Sequence, residues 1–216
     1  GIKTDYLWKV ILEKRELTNI IENYAQLVVE QDEETKKRKE KQIFPRYHQW
    51  DVVKKLLADV YNNGVGKKYL IQHSAGSGKS NSIAWTAHQL VALEKEGKNL
   101  VDSVIIVTDR VILDKQIRDT IKQFMQVSST VGHAESSGDL ARLIKEEKKI
   151  IITTVHKFSF ILDEIGTSHR NNKFAILIDE AHSSQSGSLS ANMNIALSGI
   201  DEEETTEDKI IRIMEG

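Results

Sequence analysis

One short stretch constrains this chain more than any other: Tyr69-Leu-Ile-Gln-His-Ser-Ala-Gly-Ser-Gly-Lys-Ser80. Its apolar start predicts a short strand. A Gly/Ser-rich turn follows, and Lys79-Ser80 predicts the opening of a helix. Strand, glycine turn and helix in that order are the setting of a phosphate-binding P-loop. Gly76 and Gly78 let the backbone take positive φ and come close to phosphate oxygens. The amides from Gly76 to Ser80, with Ala75 and Ser77 in the same loop, are expected to point into one concavity at a helix N-terminus. Lys79 is placed to reach the β- and γ-phosphates of ATP, and the Ser80 hydroxyl to hold Mg²⁺. The strict Walker pattern has glycine where His73 stands. The competing reading is a Gly/Ser loop that happens to precede Lys-Ser.

A second stretch, Phe174-Ala-Ile-Leu-Ile-Asp-Glu-Ala-His182, reads as a buried strand ending in two carboxylates, about 100 residues after the loop. Crossover units bring strand ends that far apart in sequence to one rim of a sheet. Asp179 suits metal binding there, and Glu180 is placed to orient or deprotonate an attacking water. An ordinary strand followed by a solvated acidic turn is the alternative.

The rest of the chain supplies the frame. With 216 residues, 29% charged and 39% hydrophobic, it suits one globular domain with a buried core. The net charge of −2 neither announces nor excludes nucleic acid. Cysteine is absent, so disulfides and cysteine-ligated metals are excluded. No apolar run is long enough to span a membrane and no leader pattern is present, so a membrane is not expected. The chain opens on Gly1 rather than Met, which fits an internal piece of something longer.

Residues 5–30 show helical spacing of Leu7, Val10, Ile11, Leu17, Ile20, Ile21, Tyr24, Leu27 and Val28, with a break expected near residues 17–19. Residues 32–41 carry acids four positions before bases, as an exposed helix end or linker does, or else a basic patch for DNA. The single proline, Pro45, marks a boundary. This divides the chain into an N-terminal helical connector, 1–42, and a main domain, 43–216. A helix is expected from Arg46 to Asn63, buried through Tyr47, Trp50, Val53, Leu57, Val60 and Tyr61. Gln49 near its start has the donor and acceptor that match the N6/N7 edge of adenine. After the loop, a helix through Ile83, Ala87, Leu90 and Val91 is expected to close at Gly97. Strands are expected at 104–107, 130–132, 150–153 and from Phe174, with helices through Leu113 to Phe124, 140–145 and 190–197. Strands alternating with helices predict an α/β fold with a parallel sheet covered on both faces.

Taken together, Gly76-Ser-Gly-Lys-Ser80 and Asp179-Glu-Ala-His182 resemble the first RecA-like domain of a superfamily 2 DEAH-box helicase or translocase. Within that group, four stretches resemble the motor (restriction) subunit of type I restriction–modification enzymes, the HsdR family. They are Pro45-Arg-Tyr-His-Gln49, His73 to Ser80, Thr108-Asp-Arg-Val-Ile-Leu-Asp-Lys-Gln116, and Asp179-Glu-Ala-His-Ser-Ser-Gln185. The resemblance covers roughly residues 43–200, and the family tolerates a histidine at position 73. It implies a P-loop NTPase whose Arg46 and Gln49 read adenine. Gly76, Gly78, Lys79 and Ser80 hold phosphates and Mg²⁺, and Asp179 and Glu180 serve metal and water. His182 couples nucleotide state to DNA grip. Thr108, Arg110, Thr154 and Lys157 touch the DNA backbone. Family members pump duplex DNA with ATP in the prokaryotic cytoplasm. They carry a nuclease and a second RecA-like domain, and they assemble with methyltransferase and specificity subunits.

Two other readings stay open: a different superfamily 2 helicase acting on DNA or RNA, and a P-loop module that binds nucleotide without moving anything. The resemblance also implies a Ser/Thr-rich strand between the P-loop strand and the acidic strand. Past Glu180 the only apolar cluster is Ile210-Ile-Arg-Ile-Met214, which lacks that motif. A gap in the sheet, or direct pairing of its two flanks, is therefore expected, with Ile105, Ile151 or Ile176 poorly covered. With the arginine finger of the second motor domain also absent, this chain alone is expected to show at most basal ATPase activity.

Overall fold

The computed structural model describes residues 4–31, 38–108, 120–121, 131–134, 136–159 and 172–179. Four strands make its main sheet: β5 (Ser103–Thr108), β6 (Val131–His133), β7 (Ile150–Thr154) and β8 (Phe174–Ile178). They lie side by side in the order β6-β7-β5-β8, and all three pairings are parallel. Parallel strands need crossovers and both faces covered. The sequence meets that demand through runs such as Ser103-Val-Ile-Ile-Val-Thr108, buried at every position. Alternate residues serve opposite faces. Val104, Ile106, Ile150 and Ile152 join one core with Trp50, Val53, Trp85 and Leu90. Ile105, Val107 and Ile151 join a second with Leu140, Leu143, Ile144 and Phe158.

The helices that cover these faces follow from local chemistry. α1 is Lys14–Asn23, α2 is Tyr47–Asn63 and α3 is Lys79–Val91. α4 is Ser137–Lys145, capped where the Ser136 hydroxyl accepts from the Asp139 amide, and α5 is the short Val155–Ser159. α2 ends at Gly64, as its Asn-Asn-Gly sequence predicts, with φ +78°. Its buried stripe is Gln49, Trp50, Val53, Leu56 and Val60. Tyr47 and Tyr61, expected inside, are exposed. Trp50, Val53 and Val60 are common to the expected and the observed stripe, and Gln49 and Leu56 take the buried places expected for Tyr47, Leu57 and Tyr61.

The N-terminal segment departs from its expected helix. A single π-helical turn, Leu7–Ile11, precedes α1. The break falls before Lys14, where the Glu13 carboxylate accepts from the amides of Arg15 and Glu16 at 3.0 and 3.1 Å, and residues 17–19 lie inside α1. After α1 the chain forms an antiparallel hairpin, β1 (Gln26–Gln31) with β2 (Arg38–Ile43). The helix expected to reach residue 30, and the exposed helix expected to reach 41, are both replaced by strand. β-branched Val28 is buried on this ribbon, and the ladder gives both segments backbone partners that an isolated charged helix end lacks. The expected charge pairs of residues 32–37 lie outside the described residues.

Two further expectations are corrected. α3 ends at Val91, and Gly97 instead turns a small hairpin, β3 (Glu94–Lys95) with β4 (Lys98–Asn99). Glu96 and Gly97 both take positive φ, +54° and +72°, as a type I′ turn requires. The apolar segment 69–72 is not a strand. Leu70 is 89% exposed there. A strand persists only with a neighbour for its ladder, whatever its propensity, and among the described residues none lies beside this segment or on the outer side of β8. Of the expected alternatives, direct pairing of the two flanks does not occur. Ile105 and Ile151 are nonetheless fully buried, because α4 and α5 cover their face; Ile176 is half-buried. The helices expected at 113–124 (apart from Thr120 and Ile121, which are helical) and at 190–197, and the cluster at 210–214, lie outside the described residues.

α1 and its C-cap are fastened to the core by specific bonds. The Trp85 indole donates to the Tyr24 carbonyl at 2.9 Å, and the two rings meet 5.8 Å apart with their planes tilted by 48°. Glu16 on α1 accepts from the Trp50 indole at 2.9 Å and is ion-paired with Lys54, both on α2. Burial pushes the Glu16 carboxyl up, but the bonds from Lys54, Asn19 and Trp50 outweigh it and hold it below its ordinary value. Such a group stabilises fully above the unfolded-state pKa, and that contribution is lost as pH falls through the lower folded value. Glu16→Ala is expected to cost about 2 kcal/mol, since it leaves a buried indole N–H and a cation without their acceptor. Glu16→Gln should flatten the acid limb of the stability curve. Thermal melts from pH 7 to pH 3 measure both effects, and an unchanged acid limb in Glu16→Gln would remove Glu16 as its cause.

Candidate functional site

The loop ahead of α3 is shaped by its glycines. Gly76 has φ +70°, and Gly78, the residue that caps α3, has φ +83°. Both lie in the left-handed region open to glycine. A Cβ on Gly78 would also stand 2.5 Å from Gln49 Nε2. The Gly78 carbonyl accepts from the Asn81 and Ser82 amides, so α3 is wound from its first residue. The amide of Ser80 falls in the first turn, where a helix offers no acceptor of its own. Lys79 and Ser80 are half-buried, and Ser77 is buried. Ser77 Oγ and His73 Nε2 are buried at this loop with no hydrogen-bond partner. Orphaned buried polar atoms are costly unless a polar ligand meets them.

The first turn of α2 packs against this loop. Gln49 Nε2 donates to the carbonyls of Ser77 and Gly78, each at 3.0 Å, and Gln49 Oε1 accepts from the Arg46 amide at 2.8 Å. His48 Nε2 lies 3.3 Å from the Ser77 carbonyl, and the His48 and His73 rings meet edge-on at 5.6 Å. Burial, then His48, then the Lys79 charge hold His73 below its ordinary pKa, so it is neutral at neutral pH. Arg46 and Ala75 are exposed. The sequence pointed to Gln49 for adenine; in this structure its amide faces the loop backbone. His48 went unnoticed, and no pattern in the sequence separates it from an ordinary surface histidine.

The second part of the site is the C-terminal edge of the sheet. Asp179 follows β8 directly, is buried, and donates its amide to the Val107 carbonyl at 2.9 Å. Thr108 and Thr154 end β5 and β7 as register partners. Both are buried, and the Thr108 hydroxyl points to the Thr153 carbonyl at 3.5 Å. Lys157 Nζ donates to the Ala134 carbonyl at 3.0 Å. The structure thus brings Thr108, Thr154 and Asp179 to one edge. Arg110, Glu180 and His182 lie outside the described residues. α3 lies against β5, β7 and β8, and its last turn leads through the β3–β4 hairpin into the start of β5. Its first turn, with the glycine loop, therefore faces the edge where Asp179 emerges.

The donor set fits a magnesium–nucleotide better than a protein-held metal. Among the described residues no group of three or more His, Cys, Asp or Glu side chains could hold an ion alone. Mg²⁺ is commonly held by one or two protein oxygens together with phosphates, and Ser80 and Asp179 are residues of that kind. Among the described residues, no helix is long and apolar enough to cross a membrane.

Comparison with known proteins agrees with this geometry. Over 138 residues the chain is 33% identical to a protein of Methanocaldococcus jannaschii named for the MjaIXP type I restriction enzyme endonuclease subunit, covering 59% of this chain and 12% of that protein. It is 26% identical over 130 residues to the SauMSSORF170P type I restriction enzyme endonuclease subunit of Staphylococcus aureus, covering 57% of this chain and 13% of that one. The matches thus span about an eighth of these curated relatives. Among solved structures, the UvsW helicase of bacteriophage T4 shares the fold with a TM-score of 0.55 at 13% identity, over 87% of this chain and 57% of that one. The expected P-loop α/β fold is thereby borne out. The SWI2/SNF2 ATPase family matches residues 48–201, and with that match over most of its length the chain belongs to the SWI2/SNF2 ATPase family as a helicase-like ATPase domain resembling type I restriction subunits.

Proposed function

We propose that the chain is the ATP-binding and ATP-hydrolysing part of a type I restriction endonuclease subunit, and that it drives translocation of duplex DNA. The observation that carries this reading is the glycine-locked loop at the head of α3, facing the strand edge where Asp179 emerges. Lys79 and the amides of residues 76–80 hold the phosphates. Ser80 and Asp179 would hold Mg²⁺, which when bound neutralises phosphate charge. Glu180 orients the attacking water and takes its proton. Arg46 and Gln49 read adenine, and His182 links the nucleotide to DNA grip. The work takes place in the prokaryotic cytoplasm, with methyltransferase and specificity subunits, a nuclease and a second RecA-like domain as partners.

DNA is gripped without reading sequence, by the segments that follow β5 and β7. Because Thr108 and Thr154 are buried, the cations Arg110 and Lys157 carry this contact, and Lys157 releases the Ala134 carbonyl to do so.

Two measurements test the reading. Isothermal calorimetry with Mg·ATP should find Lys79→Ala weaker by roughly a hundredfold, the loss of about two charge-assisted bonds. Glu180→Gln should bind normally, and the complete parent enzyme carrying it should not hydrolyse ATP. Equal affinity in wild type and Lys79→Ala would contradict the nucleotide site. For DNA, neutralising about two phosphates gives a log–log salt slope near −2. An Arg110→Ala, Lys157→Ala double variant of the parent enzyme with unchanged DNA affinity and translocation would exclude those two contacts.

A further inference from the structure

Gln49 occupies an unusual position for a residue proposed to read a base. A carboxamide has two N–H donors and one carbonyl oxygen. Both donor directions of Gln49 are committed, to Ser77 O and Gly78 O at 3.0 Å each, and its oxygen takes the Arg46 amide at 2.8 Å. The side chain is 3% exposed. Reading the N6/N7 edge of adenine needs a donor and an acceptor from the same amide. That requires Gln49 to give up at least one loop carbonyl.

The loop bonds also have a direction. In a trans peptide the carbonyl of one residue and the N–H of the next point opposite ways. Fixing Ser77 O toward α2 therefore aims the Gly78 amide away from α2; the Gly78 carbonyl is also held by the Asn81 and Ser82 amides, so the direction of the Lys79 amide is set by α3 and Gln49 together. Those amides belong to the proposed phosphate cradle. Gly78 and Gln49 are fitted to each other as well, since any Cβ at position 78 would fall 2.5 Å from Nε2. His48, 3.3 Å from the same Ser77 carbonyl, lies on the same side.

We infer that Gln49 is a positioning residue for the phosphate loop: it sets the direction of the Gly78 amide and shares with the first turn of α3 in setting that of Lys79, and adenine competes with the loop for the same carboxamide. The base is thereby linked to the loop through one side chain. This rests on the nucleotide site proposed above and deepens it, because it assigns Gln49 a role toward phosphates that carry no base at all.

Inorganic tripolyphosphate separates the two roles. Calorimetry on the chain with Mg·tripolyphosphate, Mg·ATP and Mg·GTP would compare wild type with Gln49→Met and Gln49→Glu, at a temperature below every variant's melting transition. Both variants should bind tripolyphosphate about tenfold more weakly, from the loss of two neutral hydrogen bonds. They should also lose any preference for ATP over GTP. Tripolyphosphate affinity unchanged within about twofold, with the ATP preference gone, would leave Gln49 a base reader alone and overturn the inference. If wild type binds neither triphosphate nor tripolyphosphate, the nucleotide site falls and this role with it. A measurement without any variant gives a second check. In wild-type protein the Gln49 side-chain amide protons should exchange slowly, stay protected with tripolyphosphate and shift with Mg·ATP. Exchange at the solvent rate in the nucleotide-free chain would overturn the inference equally.

Discussion

The backbone of Gly78 pressed against the carboxamide of Gln49 is the contact on which the rest of the site depends. It joins the head of α3 to the first turn of α2 across 29 positions of sequence. Only glycine satisfies it, both for its φ of +83° and for the space left beside Nε2. Because α3 is wound from this residue, the same contact fixes where its N-terminal amides and its dipole end lie. A side chain at position 78, or a backbone there in the right-handed region, would separate the loop from α2 and take the Gln49 donors from the Ser77 and Gly78 carbonyls.

What holds α2 and α3 in place is then a question of packing. One core cluster runs from Ile20 and Tyr24 through Trp50 and Trp85 to the strand residues Val104, Ile106 and Ile150. The N-terminal segment takes part in it directly, through the Trp85 indole on the Tyr24 carbonyl and through Glu16 on Trp50 and Lys54. Trp50 and Gln49 are neighbours on α2. A displacement of α1 would therefore act on the helix turn that holds the glycine loop, through bonds rather than through loose surface contact. The opposite face of the sheet, under α4 and α5, has a separate apolar cluster and leaves the strand ends where Thr108, Thr154 and Asp179 gather.

Much of this was legible in the sequence, for identifiable reasons. The strands at Val104, Ile150 and Phe174 are short apolar runs bounded by polar residues, and the helix from Tyr47 has a proline before it and a glycine after it. Those signals are local, and the structure reproduces them. The errors lie where a distant partner decides. Apolar spacing at Leu27 and Val28 fits a helix as well as a strand, and only the pairing with β2 chooses. The segment at residues 69–72 has strand composition but no neighbour to make it one. Gln49 stands out in the sequence for the chemistry of its amide, yet its three bonds are to backbone groups, 28 and 29 positions away for two of them. Backbone partners of that kind leave no mark on side-chain pattern. A turn glycine in a tight hairpin has the same local look as a helix stop, so Gly97 reads as one in the sequence.

We propose that the loop between α2 and α3 is a phosphate cradle preformed by that contact. Residue-resolved amide hydrogen exchange on the chain, with and without saturating Mg·ATP, tests it most directly. Slowed exchange is expected at residues 76–80 and at Asp179, with the remainder of the sheet unchanged. Nucleotide binding that leaves residues 76–80 exchanging as before, or protection confined to another surface, would contradict it.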